Sequence, residues 1–312
     1  MAEKRSWPGA AGLLLITIVL SVFNPGLVVA FPFLGLAMVL GLRGLPAAVA
    51  AMLAVLVVVG VPGLGGIWYL ERGWTVLLAG FFIVVTIRWP QSRFFPRALA
   101  AVATTTASVG VMMLVQPGSW DVANWLITER MMRGVSVVLQ LFGTVNPETP
   151  FPAADLGFAF EAAALQGRLF PALLGLSSLS GLGVAWWAYV RLATGSGLGL
   201  APLREFRFND HLVWVLVAGL ALILVGAEGG WTNAGGNAVV FMGGLYVLRG
   251  AAVLLVLNGG VTGFGVLFFA AGMLILGRVL IMGVLMGALV IGVGDTWLDL
   301  RTKAAAIVGG KS

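Results

Sequence analysis

Eighteen basic and twelve acidic residues are spread over 312 positions, and the few that fall inside or at the ends of long apolar stretches are the ones placed to do chemistry. A charge within hydrocarbon is costly and, where retained, faces a bundle interior or a wet cavity. Arg249 lies in the apolar run 235–257, about eight residues, or roughly 12 Å, from its C-terminal end. Its side chain is long enough to contact an anionic ligand inside the bundle or to snorkel to the interface. Glu71 and Arg72 open another run beside Trp68 and Trp74; they read as an interfacial anchor, with Glu71 also able to line an outer vestibule. Asp295 and Asp299 flank Trp297 where the last run ends, and these carboxylates can cap a helix, pair with Arg301 or reach Arg249. Trp186 and Trp187 are candidate stacking residues. The candidate ligand-binding set is thus Arg249, Trp186, Trp187 and Glu71. A second set, Arg204, Arg207, His211, Asp295, Asp299 and Arg301, forms a polar rim suited to docking a partner protein.

Catalytic chemistry finds no footing. With no cysteine and a single histidine, disulfides, thiolate metal sites, thiol nucleophiles and histidine-rich metal sites are excluded. Ser177, Ser178 and Ser180 have no histidine placed to activate them, since His211 belongs to a different apolar run. Gly195-Ser196-Gly197-Leu198-Gly199 is followed by no Lys-Ser/Thr and reads as a turn rather than a phosphate cradle. The sequence therefore predicts neither an enzyme nor a cofactor, and its basic residues form no groove-sized patch for nucleic acid.

The elements that must position these residues are membrane spans. The chain is 60% hydrophobic and 10% charged, with 45 glycines, a composition outside the range of soluble domains. A span needs about 20 mostly apolar residues, and such runs occur at 9–23, 26–42, 45–61, 68–87, 97–115, 169–190, 211–227, 235–257 and 262–293. The last is too long for one straight span, and Gly277-Arg278 near its middle predicts a hairpin. The expectation is an all-α polytopic bundle of about 8–10 transmembrane helices. It forms one transmembrane domain over 1–312, with its partner the lipid bilayer.

Orientation follows from Lys and Arg between spans. One set of connections holds Lys4, Arg5, Arg43, Arg88, Arg93, Arg97, Arg191, Arg204, Arg207, Arg301, Lys303 and Lys311; the other holds Arg72, Arg130, Arg133 and Arg168. Both termini are accordingly predicted to be cytoplasmic. The stretch 117–167 is then an extracytoplasmic loop. Within its 120–142 segment, Val122, Trp125, Leu126, Met132, Val135, Val138, Leu139 and Phe142 recur at helical spacing, which predicts an amphipathic helix in the membrane interface, or a lid over an outward-facing cavity. Ala47/Ala51, Ala50/Ala54 and Gly283/Gly287 are small-residue pairs suited to close helix packing. Thr104, Thr105, Thr106 and Ser108 place hydroxyls within a span, to bond backbone carbonyls or to line a cavity.

The strings PLREFRFNDHLVWVLVAGLALILVG (202–226), GGLYVLRGAAVLLVL (243–257) and GVGDTWLDLR (292–301), with PGLVVAFPFLGLAMVLGLRG (25–44), resemble the YybS-like family of bacterial multi-pass membrane proteins. The resemblance covers most of the chain. It departs at Asn209-Asp210-His211, where the family tends to carry a proline shortly before Leu-Val-Trp, so no family role is carried over to His211. What the resemblance implies is a bacterial cytoplasmic (inner) membrane location and a distant similarity in helix arrangement to substrate-binding subunits of energy-coupling-factor transporters and to MreD-type cell-shape proteins. Fold alone does not fix function.

Two functional classes follow. The first is a small-molecule binding or transport subunit energised by a separate partner, with a small anionic ligand at Arg249. The second is a structural membrane component of envelope growth whose cytoplasmic rim docks other proteins.

Overall fold

The computed structural model describes residues 66–116, 118–145, 153–190, 206–226, 230–257, 277–300 and 303. Among them eight α-helices carry the fold: α1 (Gly66–Arg88), α2 (Phe94–Val115), α3 (Ser119–Val145), α4 (Ala153–Arg168), α5 (Phe170–Tyr189), α6 (Val213–Leu224), α7 (Gly230–Leu257) and α8 (Arg278–Leu298). Stretches within α2, α5, α7 and α8 are long and apolar enough to cross a membrane, so the chain is a multi-pass helical membrane protein. In lipid each backbone N–H and C=O must be satisfied internally, which a helix does within its own segment. The prolines within described helices stand in first turns, Pro96 in α2 and Pro171 in α5, where a missing N–H would have no intrahelical acceptor in any case. The runs 9–23, 26–42 and 45–61, the alanine pairs between 47 and 54, and the glycine string 195–199 lie outside the described residues.

The chain divides into two compact units, 1–199 and 200–312, each described by itself. In the first, α1 packs on α2, α2 on α5 and α3 on α4. Leu78, Ala79, Phe82, Ala98, Ala101, Leu182 and Ala185 form the buried centre. The stretch 117–167 folds as α3 and α4, and the expected amphipathic segment lies within α3, with Trp120 and Trp125 exposed. The Thr104, Thr105 and Thr106 hydroxyls each donate to the carbonyl four residues back, at 2.6, 2.8 and 2.9 Å. Of the two readings open for these hydroxyls, they take the backbone one.

In the second unit α7 packs on both α6 and α8. Met242, Leu245, Tyr246, Arg249, Gly250 and Val253 of α7 are buried, a stripe at three- and four-residue spacing that faces its neighbours. Val279, Met282, Met286, Val290 and Trp297 make the opposing exposed stripe on α8, the face available to lipid. A Cβ on Gly250 would overlap the Ala288 carbonyl, and one on Gly292 would overlap the Tyr246 carbonyl. Positions falling along α7 thus meet positions rising along α8, so the two run antiparallel with backbones touching. The expected Gly283/Gly287 pair plays no part in this seam: both positions face open space among the described residues, because the contact face of α8 passes through Ala288, Gly292 and Asp295. Gly277, at φ +50°, precedes the first residue of α8. That is where the long last run was expected to break, and a left-handed backbone there is open to glycine without strain.

Candidate functional site

The polar centre of the second unit is assembled by the segment leading into α6. Over Phe206–Asn209 the chain is extended, with Phe206 and Phe208 buried and Arg207 and Asn209 exposed, the two-residue alternation of a strand-like backbone. The Phe208 ring meets Tyr246 of α7 edge-on at 5.1 Å and Phe206 at 5.9 Å. Asn209 then caps the 3₁₀ turn Asp210–Leu212, its side-chain oxygen accepting from the His211 N–H at 3.0 Å. This cap fixes the Asp210 backbone at the mouth of α6.

Asp210 is thereby delivered to Arg249. Arg249 Nη1 donates to Asp210 Oδ1 at 2.5 Å, and Nε donates to Asp295 Oδ2 of α8 at 2.9 Å. The Phe208 ring lies beneath the guanidinium, 5.5 Å from its carbon, a cation–π contact. Burial differs sharply among the three: the Arg249 side chain is 0% exposed, Asp295 1% and Asp210 47%. Arg249 and Asp295 form a dry pair, whereas Asp210 closes the cluster from a wet side. The guanidinium does not snorkel; carboxylates come to it. Two carboxylates against one guanidinium leave one formal negative charge among the described residues of this cluster.

Beside the cluster, the Tyr246 hydroxyl lies within the field of Arg249 and Asp210 and next to the Thr296 side chain. Both hydroxyls are buried, and they lie close enough to interact with each other. At the rim, Arg207 pairs with Asp299 at 3.4 Å with both side chains about half exposed. Asp299 also ends α8 in a left-handed conformation at φ 43°, which Asp tolerates better than most residues. Among the described residues Asp295 meets Arg249, one of the options open to it, and Asp299 meets Arg207; the Arg301 option lies outside the described residues. His211 is exposed on the 3₁₀ turn, and Arg204 and Arg301 lie outside the described residues.

The other expected ligand contacts belong to the first unit. Glu71 is buried, and its Oε1 lies 2.6 Å from Nη1 of Arg130 on α3, tying the amphipathic helix to α1. Trp186 is taken up by protein: the Arg97 guanidinium lies 5.0 Å over its ring, with Phe82 and Phe94 at 6.1 and 6.2 Å. Arg97 in turn donates to the Ser92 carbonyl and closes the turn before α2. Trp187 is about half exposed. Trp74 Nε1 donates to Ser178 Oγ at 2.9 Å, joining α1 to α5. The serines singled out above thus serve packing: Ser177, Ser178 and Ser180 each also donate to a carbonyl of the preceding turn.

Sequence reasoning missed Asp210, Tyr246, Phe208 and Arg130 as site residues. The Asn-Asp pair opening an apolar run is an N-terminal capping signal, and it was the one local cue to Asp210. Comparison of the chain with protein families, with curated proteins and with solved structures finds no match, so its function is argued from this geometry alone.

Proposed function

We propose that this protein is a membrane subunit that binds or transports a small solute, working with a separate energising partner, and that the Asp210–Arg249–Asp295 cluster is its polar recognition centre. One observation carries the reading: a guanidinium with no exposed surface is held by carboxylates from two other elements within a block of otherwise apolar helices. Retained charge of this kind marks solute and ion pathways in membrane proteins. The extended and 3₁₀ backbone of 206–212, reaching the cluster from outside the helices, adds support, since irregular backbone beside a polar centre recurs in transporter sites.

The scaffold reading has its own support in the backbone contacts at Gly250 and Gly292, which make α7 and α8 a tight pair, and in the half-exposed Arg207–Asp299 rim. The two are separated by purifying the full chain in lipid nanodiscs and identifying co-purifying small molecules and proteins by mass spectrometry. The comparison is with a folded Arg249→Met/Asp295→Leu double variant. A near-stoichiometric small molecule present with the native chain and lost from the variant supports solute binding. A stoichiometric protein partner with no small molecule in either sample overturns it in favour of the scaffold.

A further inference from the structure

The turn that joins α1 to α2 concentrates positive charge with no carboxylate in the segment to balance it. Residues 84–97 hold Arg88, Arg93 and Arg97 and no Asp or Glu. Arg88 ends α1 and Arg93 immediately precedes α2; both are exposed, and neither enters an ion pair among the described residues. Arg97 is buried, donating through Nε to the Ser92 carbonyl at 2.7 Å and through Nη2 to the Pro90 carbonyl at 3.3 Å. Its charge is therefore spent on tying down the main chain of the turn, and the two exposed guanidiniums are left to meet what lies outside. The surface beside them is graded. Val84 and Ile87 on α1 are 61% and 58% exposed, Trp89 in the turn is 53% exposed, and the Arg88 guanidinium lies 5.9 Å from the Trp89 ring. The 22 residues of α2 are apolar enough to cross a membrane, and at about 33 Å they match a hydrocarbon core of about 30 Å. Arg93 at the start of α2 thus stands where hydrocarbon gives way to headgroups, the level that Trp also favours. From Val84 and Ile87 through Trp89 to Arg88 and Arg93 the exposed surface passes from apolar to aromatic to cationic, the order of acyl chain, glycerol and phosphate in a phospholipid.

We infer that the α1–α2 turn binds an anionic phospholipid, with the headgroup phosphate held by Arg88 and Arg93 and an acyl chain lying along Val84 and Ile87. Guanidinium forks take phosphate oxygens two at a time. An acidic headgroup is selected over a zwitterionic one, because the segment offers excess positive charge and no carboxylate to receive a choline or ethanolamine ammonium. An acidic protein surface or a soluble phosphate would match the charge but leave the apolar flank at Val84 and Ile87 unexplained. The inference is independent of the solute-binding reading, which concerns the other unit.

The test uses the full-length protein in nanodiscs of phosphatidylcholine mixed with phosphatidylglycerol, with lipids that stay bound after gentle transfer to detergent counted by native mass spectrometry. The native chain is compared with Arg88→Gln, Arg93→Gln and the double variant, and with Arg133→Gln, which removes an exposed guanidinium of α3. Tm in phosphatidylcholine alone reports that each variant is folded, as expected for substitutions at exposed side chains. The native chain is expected to retain phosphatidylglycerol in preference to phosphatidylcholine. Each single substitution in the turn should weaken that retention about tenfold, the loss of one charge-assisted contact, and Arg133→Gln should leave it unchanged. Equal retention of the two lipids by the native chain overturns the inference, as does phosphatidylglycerol held equally by the native chain and the double variant. A loss of the same size in Arg133→Gln reduces the effect to overall charge and overturns it too. Displacement of the lipid by inorganic phosphate at equal concentration would assign the turn to a soluble anion, and an acidic protein captured in place of lipid by the native chain but not by the double variant would assign it to a protein contact; either result overturns the lipid site.

Discussion

Replacing Asp295 by Asn removes one charge from a pair whose two side chains are 0% and 1% exposed. Breaking a buried pair by deleting one partner costs about 3–5 kcal/mol, because the remaining charge is left buried and uncompensated. Here Asp210 still holds Arg249 at Nη1, which places the expected loss near the lower end, about 3 kcal/mol. Asp210→Asn is the matched control. Its carboxylate is 47% exposed, so water replaces much of what is lost and Asp295 still neutralises the guanidinium; the expected cost is about 1 kcal/mol. The Arg249→Met/Asp295→Leu double variant removes both charges with side chains of similar volume. It is expected to lie within about 1 kcal/mol of the native chain, since replacing a buried pair by apolar groups is often neutral or stabilising. Reversible unfolding in mixed micelles with increasing SDS, followed by tryptophan fluorescence, gives all four stabilities on one scale. Asp210→Asn costing as much as Asp295→Asn, or a double variant as unstable as the single one, would refute the assignment of a dry inner pair and a wet outer carboxylate.

Gly250→Val is expected to separate α7 from α8, because a Cβ there overlaps the Ala288 carbonyl. The loss should exceed about 3 kcal/mol, the upper end for overpacking that side chains can absorb, while Gly283→Val, which faces open space, should stay within about 1 kcal/mol of native on the same unfolding assay. Glu71→Gln removes the partner of Arg130, whose side chain is 40% exposed; a cost of about 1 kcal/mol is expected, together with faster proteolysis within α3, and unchanged proteolysis would show that the pair does not secure that helix. With no native cysteine to interfere, Ser119→Cys, Ser196→Cys and Ser312→Cys report topology directly. Labelling by an impermeant reagent from outside at Ser119→Cys alone is expected, and labelling at Ser312→Cys would reverse the orientation assigned to the C-terminus.

The helical class and the break near Gly277 were legible because they rest on local signals: the length of apolar runs and one glycine followed by arginine. Arg249 was legible as an anomaly for the same reason, being a charge in an apolar run. Its partners were not. Asp295 was one of several options for a terminal carboxylate, and Asp210 lies 39 residues away across a turn whose geometry depends on the Asn209 cap. Glycine pairs misled in the opposite direction. Gly283 and Gly287 have the expected spacing, but helix contacts are made by whichever face the neighbour covers, and α7 covers the face of Ala288 and Gly292. Trp186 reads from sequence as a ring available for stacking, whereas Arg97 from another helix already occupies its face.

The cluster also has an order of manufacture. The chain emerges from its N-terminal end, so when Arg249 reaches the bilayer Asp210 has been made 39 residues earlier and Asp295 is still 46 residues from synthesis. An arginine near the middle of an isolated helix costs about 2.5–3.5 kcal/mol to insert. Asp210, at the head of α6, is the carboxylate at hand to escort α7 into the membrane as a hairpin with the preceding helix. Asp295 arrives with α8 and seals what Asp210 began. The order of synthesis thus presents the half-exposed carboxylate to Arg249 before the buried one.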